Sequence, residues 1–161
     1  KQPELEAPID AGPEVDLQCP ALIPEDYLPD IHARLVLYKR IANADDAEQL
    51  RELQIEMIDR FGLLPEAVKN LFSVTELKQQ VAEMGVKKID VSTTGGRLVF
   101  SPQPKINTEQ LLVLIQTEAQ CFKFDGADKL RFIKNFETTD AKLQFVSELL
   151  QKLSLNQHED C

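Results

Sequence analysis

The run Ile55-Glu56-Met57-Ile58-Asp59-Arg60-Phe61-Gly62-Leu63-Leu64-Pro65-Glu66-Ala67-Val68 constrains the fold more tightly than any other stretch of the chain. Gly62 stands where a helix C-terminus favours a residue able to adopt positive φ. Pro65 presets φ for the next helix and lacks an N–H that the first turn does not need. Glu66 follows in that turn, where negative charge suits the helix dipole. Phe61 and Leu64 flank the bend and can pin two helices together. Arg60, Phe61, Gly62 and Pro65 therefore read as the structural corner of a helical hairpin.

The helix leading into this corner carries Leu50, Leu53, Met57 and Phe61 on one face at helical spacing. Asp45 and Glu48 have the spacing of a capping box at its start. On the opposite face Glu48, Glu52, Glu56 and Asp59 stack one above the other, with Ile55 among them. Such a stripe is either a solvated surface with one stray apolar residue or a docking surface for a basic partner. Like charges at this spacing repel, and Asp59 lies near a helix C-terminus, where the dipole disfavours it. Those local penalties keep the second reading open.

The net charge of −9 is unevenly spread. Residues 1–30 carry −7 and residues 155–161 carry −2, so the body sums to zero. A strongly basic nucleic-acid binder is not indicated. The 161 residues suffice for one domain with a core, or a domain with tails. No apolar run has the length of a membrane span, and no signal peptide is visible. The missing initiator Met suggests a piece of a longer chain. Cys19, Cys121 and Cys161 are odd in number and far apart, which fits a reducing cytoplasm better than a disulfide framework.

Read in order, residues 1–14 are Pro-rich and acidic, as in a linker or disordered tail. Val15–Cys19 alternates like a short strand, and Ala21-Leu22-Ile23 is an apolar anchor. Pro20, Pro24 and Pro29 keep the backbone extended around Tyr27 and Leu28. Asp30 caps a first helix with Ile31, Leu35, Tyr38 and Ile41 on one face. The second helix ends at Phe61, and a third runs from Pro65 to Met84, where Gly85 stops it. Val86–Thr93, a Thr94-Gly95-Gly96 turn and Arg97–Phe100 form a hairpin. Asn107 caps a strongly apolar helix, read as buried. Cys121–Phe124 and Leu130–Ile133 form a second hairpin, and Thr138 caps a last helix with Leu143, Val146, Leu149, Leu150 and Leu153 inward. The fold class is α+β: N-terminal helices packed beside a small antiparallel sheet of about four strands, built from two hairpins with intervening and C-terminal helices. Residues 15–154 read as a single domain and 155–161 as a polar tail.

No catalytic constellation stands out. Gly95-Gly96 lacks the context of a phosphate loop and suits a turn. His32 and His158 have no second ligand at metal spacing. The paired carboxylates of the second helix have no apolar pocket to separate their pKa values. A nucleic-acid module remains as an alternative: Phe122, Lys123, Phe124, Lys129, Arg131, Phe132 and Lys134 interleave aromatics and bases on adjacent strands, as stacking platforms do. The simpler arrangement puts the phenylalanines inward and the lysines outward.

The run Glu56-Met57-Ile58-Asp59-Arg60-Phe61-Gly62-Leu63-Leu64-Pro65 resembles the signature of the C-terminal domain of the bacterial transcription-repair coupling factor (TRCF) family. Leu22-Ile23-Pro24, Tyr38-Lys39-Arg40 and Asp125-Gly126 before Leu130-Arg131-Phe132 resemble the same family, in order, over about residues 15–150. The resemblance implies a non-catalytic regulatory domain of a large ATP-dependent DNA translocase, with no cofactor of its own and ATP used elsewhere in the parent. It implies docking on the parent's UvrB-like module, masking of the UvrA-binding surface, contact with DNA and RNA polymerase only through other domains, and a bacterial cytoplasmic setting in nucleotide-excision repair. It points to Glu56 and Asp59 as arginine partners, with Glu52 and Ile55 as neighbours.

Overall fold

Helix ends are set locally, and they fall close to where capping chemistry puts them. In the computed structural model, which describes residues 12–155, the Asp30 carboxylate accepts from the His32 N–H and opens α1, Ile31–Ala42. Asp46 accepts from the Gln49 N–H at 2.9 Å and opens α2, Ala47–Phe61. The capping pair is thus Asp46 with Gln49, not Asp45 with Glu48: Gln49 reaches back to the Asp45 N–H at 2.8 Å, while Glu48 pairs outward with Arg51. Helix α3 spans Glu66–Met84. Asn107 and Thr138 cap α4, Thr108–Thr117, and α5, Thr139–Leu153.

The described chain falls into two compact units. The first takes residues 19–79. Its core joins Ile23, Leu28, Leu37, Ile41, Leu50, Leu53, Met57, Val68 and Phe72. The expected inner face of α1 is rotated: Leu37 and Ile41 are buried, whereas Ile31 and Leu35 are exposed. The Pro-spaced segment supplies part of the reason. Ile23 and Leu28 enter the same core, the Tyr38 hydroxyl accepts from the Ile23 N–H, and Arg34 donates to the Leu28 carbonyl at 2.7 Å, which together fix the turn of α1. Leu22 of the expected anchor faces solvent. Asn70, itself buried, donates to the Pro20 carbonyl at 2.8 Å.

The second unit takes residues 12–18 and 80–155. Its sheet has five strands: β1 Glu14–Asp16, β2 Val86–Ser92, β3 Gly95–Phe100, β4 Phe122–Phe124 and β5 Lys129–Ile133. They lie in the order β1-β2-β3-β5-β4. The two expected hairpins are present and antiparallel. The fifth strand exceeds expectation: β1 is shorter than the Val15–Cys19 reading and joins β2 in parallel. Burial of Leu17 and a bond of 2.8 Å from the Lys142 ammonium to the Leu17 carbonyl hold this edge in place. Lys142 is accordingly buried on α5, and Leu143, expected inside, is only half-buried. The imperfect alternation of β2 comes from a register shift between Val86 and Lys88, which leaves both Val86 and Ile89 inward.

Inward on the sheet lie Ile89, Val91, Leu98, Phe122, Leu130 and Phe132. Phe145 of α5 packs on them, 4.9 Å from Phe132 and stacked on Phe122 at 6.1 Å between ring centroids. Phe122 and Phe132 are therefore not open for stacking, and of the three expected rings only Phe124 is exposed. Helix α4 buries Leu111 and Leu114 but exposes Leu112 and Val113, so it is half-covered and not fully buried as its composition suggested. Of the expected tails, 1–14 and 155–161, residues 1–11 and 156–161 with His158 and Cys161 lie outside the described residues, and Glu14 is not tail but the first residue of β1, paired with Lys88 of β2.

Both glycines of the expected Thr94-Gly95-Gly96 turn belong to β3, leaving Thr93 and Thr94 as the turn. The reason is steric: a Cβ on Gly96 would strike the Asp90 carbonyl oxygen and come within 2.7 Å of the Phe132 ring. Gly96→Ala is expected to lower stability by about 1–3 kcal/mol. Gly12→Ala, whose Cβ meets nothing within 4 Å, should move it by less than about 0.5 kcal/mol. Urea midpoints of the two variants check this; equal midpoints would contradict it.

Candidate functional site

The corner is built from both sides of Gly62. Its φ is 101° and its N–H closes on the Ile58 carbonyl at 3.0 Å. The Pro65 carbonyl then accepts from the Val68 and Lys69 N–H groups, each at 3.0 Å, so Pro65 lies just before the first residue of α3. The Tyr27 hydroxyl donates to the Gly62 carbonyl at 2.9 Å. Its ring meets Phe61 edge-on, with centroids 5.9 Å apart, and burial pushes its phenol pKa up. Phe61 and Leu64 pack against the first unit's core, while Leu63 at the tip is exposed.

The phase of α2 follows from its buried stripe, Leu50, Leu53 and Met57. With those inward, Glu52, Ile55 and Asp59 point to solvent. Ile55 is 56% exposed and Ile58 41%, so the stripe has an apolar centre between acids rather than a single stray residue. Among the described residues the Glu52 and Asp59 carboxylates make no salt bridge and no side-chain hydrogen bond.

Glu56 differs. Its carboxylate takes both Arg40 guanidinium nitrogens, Oε1 and Oε2 each at 2.9 Å, and Oε2 takes Arg60 at 3.1 Å. The paired hydrogen bonds from Arg40, then from Arg60, hold its pKa at about 2, and the same contact raises that of Arg40. Arg60 also covers the Phe61 ring, 4.8 Å from its centroid. Glu56 is thus already occupied, as the hub linking α1 to α2 and the corner, whereas a freely outward acid was expected. The Arg60 contact was visible as an i, i+4 pair. Arg40 was not, because only the packing of α1 brings it across. Beside the hub, Arg40, Asn43, Ala44, Gln49, Glu52, Leu53 and Glu56 line an open depression of about 350 Å³. Its polar rim suits contact with a protein side chain more than enclosure of a small substrate. Among the described residues no three His, Cys, Asp or Glu side chains are placed to share a metal ion, and no helix is long and apolar enough to cross a membrane.

The TRCF domain profile matches residues 17–111, which include the corner and the whole of α2. The chain belongs to the TRCF domain family. Similar relatives of this TRCF domain include the transcription-repair-coupling factor of Haemophilus influenzae, 42% identical over 154 residues, covering 96% of this chain and 13% of that protein. That of Escherichia coli is 34% identical over 156 residues, covering 97% and 14%. The chain spans about a seventh of the length of these curated relatives. The crystal structure of a C-terminal domain of transcription-repair coupling factor matches with a TM-score of 0.65 at 25% identity, over 88% of this chain and 94% of that one.

The hub gives Glu56 a share in the acid stability of this TRCF domain. Because the folded pKa of Glu56 lies below its ordinary 4.5, its stabilising contribution is full above that value and is lost as pH falls toward about 2. Glu56→Gln should flatten the stability profile across this window, measured by urea titration at stepped pH. An unchanged acid limb would show that the clamp is not formed in solution.

Proposed function

We propose that this domain is a non-catalytic docking module of a transcription-repair coupling factor. It packs on the UvrB-like module of its parent and masks the surface through which that module would meet UvrA, restraining the parent until released. Nucleotide hydrolysis, DNA and RNA polymerase are handled by other parts of the parent, in the bacterial cytoplasm. The observation that carries this reading is the exposed face of α2, with Ile55 and Ile58 beside Glu52 and Asp59, inside the span that the family profile matches.

Glu52 and Asp59 are the acids that meet arginines of the docked module, and Ile55 supplies the apolar centre. Glu56 acts from behind by holding Arg40 and Arg60 off this face; a competing arginine reaches it only by displacing one of them. A small apolar centre with charged margins gives a contact of limited area, the kind a competing partner can reverse.

Binding of this chain to the isolated UvrB-like module, in trans and then joined by a flexible linker, tests the proposal. The linked format raises effective concentration enough to reveal a weak contact. Glu52→Ala with Asp59→Ala should weaken binding about tenfold, equivalent to about 1.4 kcal/mol, with circular dichroism unchanged. No binding in the linked format would reject docking. Binding that ignores the double variant would move the contact away from α2.

A further inference from the structure

The sheet has two edge strands, β1 and β4, and they differ in what they leave unsatisfied. Along the outer face the register sets Asp16 beside Asp90, Asp90 beside Arg97, Arg97 beside Arg131, and Arg131 beside Lys123. Toward β1 the charges are matched: Glu14 lies 3.6 Å from Lys88, Asp90 takes Arg97 at 3.2 Å, and the Asp16 carboxylate accepts from the Gln18 N–H at 2.9 Å. Toward β4 they are not. Lys123 and Arg131 are exposed, stand opposite one another, and have no carboxylate within salt-bridge distance among the described residues. Like charges directly opposite one another on neighbouring strands are unfavourable. A carboxylate one strand further out would relieve this pair.

The backbone of β4 is open along the same edge. The Cys121 carbonyl accepts from the Ile133 N–H at 2.8 Å, and the Asp125 N–H donates to the Lys129 carbonyl at 2.9 Å. Bonding to a neighbouring antiparallel strand alternates residue by residue, so the backbone groups of Phe122 and Phe124 face away from β5. The Glu118 carbonyl takes the Phe122 N–H at 3.0 Å. The Phe122 carbonyl and both backbone groups of Phe124 take no hydrogen bond among the described residues. The Phe124 ring shares the inner side of the strand with Phe122, yet it is 44% exposed where Phe122 is buried. Open backbone groups, an apolar ring and an unmatched cation thus coincide on one strand of 3 residues.

We propose that β4 is a strand-addition edge for an extended segment of another protein with an apolar–acidic–apolar pattern. The main chain of that segment pairs with the open groups of Phe122 and Phe124, which supplies affinity, and its side chains supply selectivity. Its acid falls opposite Lys123 at a position without direct hydrogen bonding, where facing side chains approach most closely. Its apolar residues fall opposite Phe122 and Phe124, and one of them covers the exposed ring. A second copy of β4 does not meet these demands, because antiparallel pairing centred on Lys123 sets lysine against lysine. A lysine on an edge turns away identical strands, but it favours an acidic one. The β1 strand of a second copy fits poorly too, since its Glu14 and Asp16 are already engaged. The edge lies wholly in the second unit and does not rest on α2 docking.

The test is NMR titration of the whole isotope-labelled chain with two short peptides, at up to about 2 mM. In one, valine alternates with glutamate; in the other, valine alternates with lysine. The glutamate peptide is expected to shift the amide signals of Lys123, Phe124 and Gly126 and to slow hydrogen exchange at the Phe124 N–H. It should bind about fivefold more tightly than the lysine peptide. Lys123→Glu should reverse that preference, and Phe124→Ala should weaken the glutamate peptide about threefold. Lys69→Glu, an exposed site in the first unit, should change the preference by less than about twofold. Circular dichroism verifies that each variant is folded. No change at β4 at the highest peptide concentration overturns the proposal, as does equal binding of the two peptides or a preference that Lys123→Glu leaves intact. Self-association of the chain that Lys123→Glu abolishes also overturns it, and makes the edge a contact between copies.

Discussion

Burial of Leu50, Leu53 and Met57 is the constraint on which the first unit depends. Once those three side chains are inward, the rotation of α2 is set, and with it the outward direction of Glu52, Ile55 and Asp59. The same rotation brings Glu56 to the α1 side, within reach of Arg40. The corner then holds the helix end: Gly62 turns the chain, and the Tyr27 hydroxyl satisfies its carbonyl. An exposed acidic face and a charged hub thus arise from one apolar stripe, because a helix with one face buried has no freedom left for the others.

The hub changes how an acidic stripe should be understood. Four acids at helical spacing look equivalent when only the helix is considered. In the fold Glu48 is matched by Arg51 and Glu56 by two arginines, while Glu52 and Asp59 are exposed with no salt bridge among the described residues. An exposed ion pair of the first kind contributes little to stability. The Glu56 cluster is a network with bidentate geometry, and its value lies in fixing where Arg40 and Arg60 point.

The second unit follows a different rule. One face of its sheet is packed with aromatic and aliphatic side chains and the other is charged, as alternation in antiparallel strands requires. Gly96 allows the Phe132 ring to lie against β3, and Lys142 reaches 125 positions back to anchor Leu17. The charge that reaches the outer face is sorted by strand order, which is why a near-neutral body has a basic end.

What the chain determined by itself is local: the helix starts at Asp30, Asn107 and Thr138, the Gly62–Pro65 corner, the inward stripe of α2 and the two hairpins. Capping, positive φ and side-chain periodicity act within a few residues, and so they are legible without the fold. The tertiary structure decided the rest. It rotated α1 so that Leu37 replaced Leu35 inside, because the Pro-spaced segment packs on that helix. It added β1 to the sheet, moved Gly95 and Gly96 from turn to strand, turned Phe122 and Phe132 inward, and brought Arg40 to Glu56. Each of these depends on groups distant in sequence meeting in one place, and no local preference encodes which of them will meet.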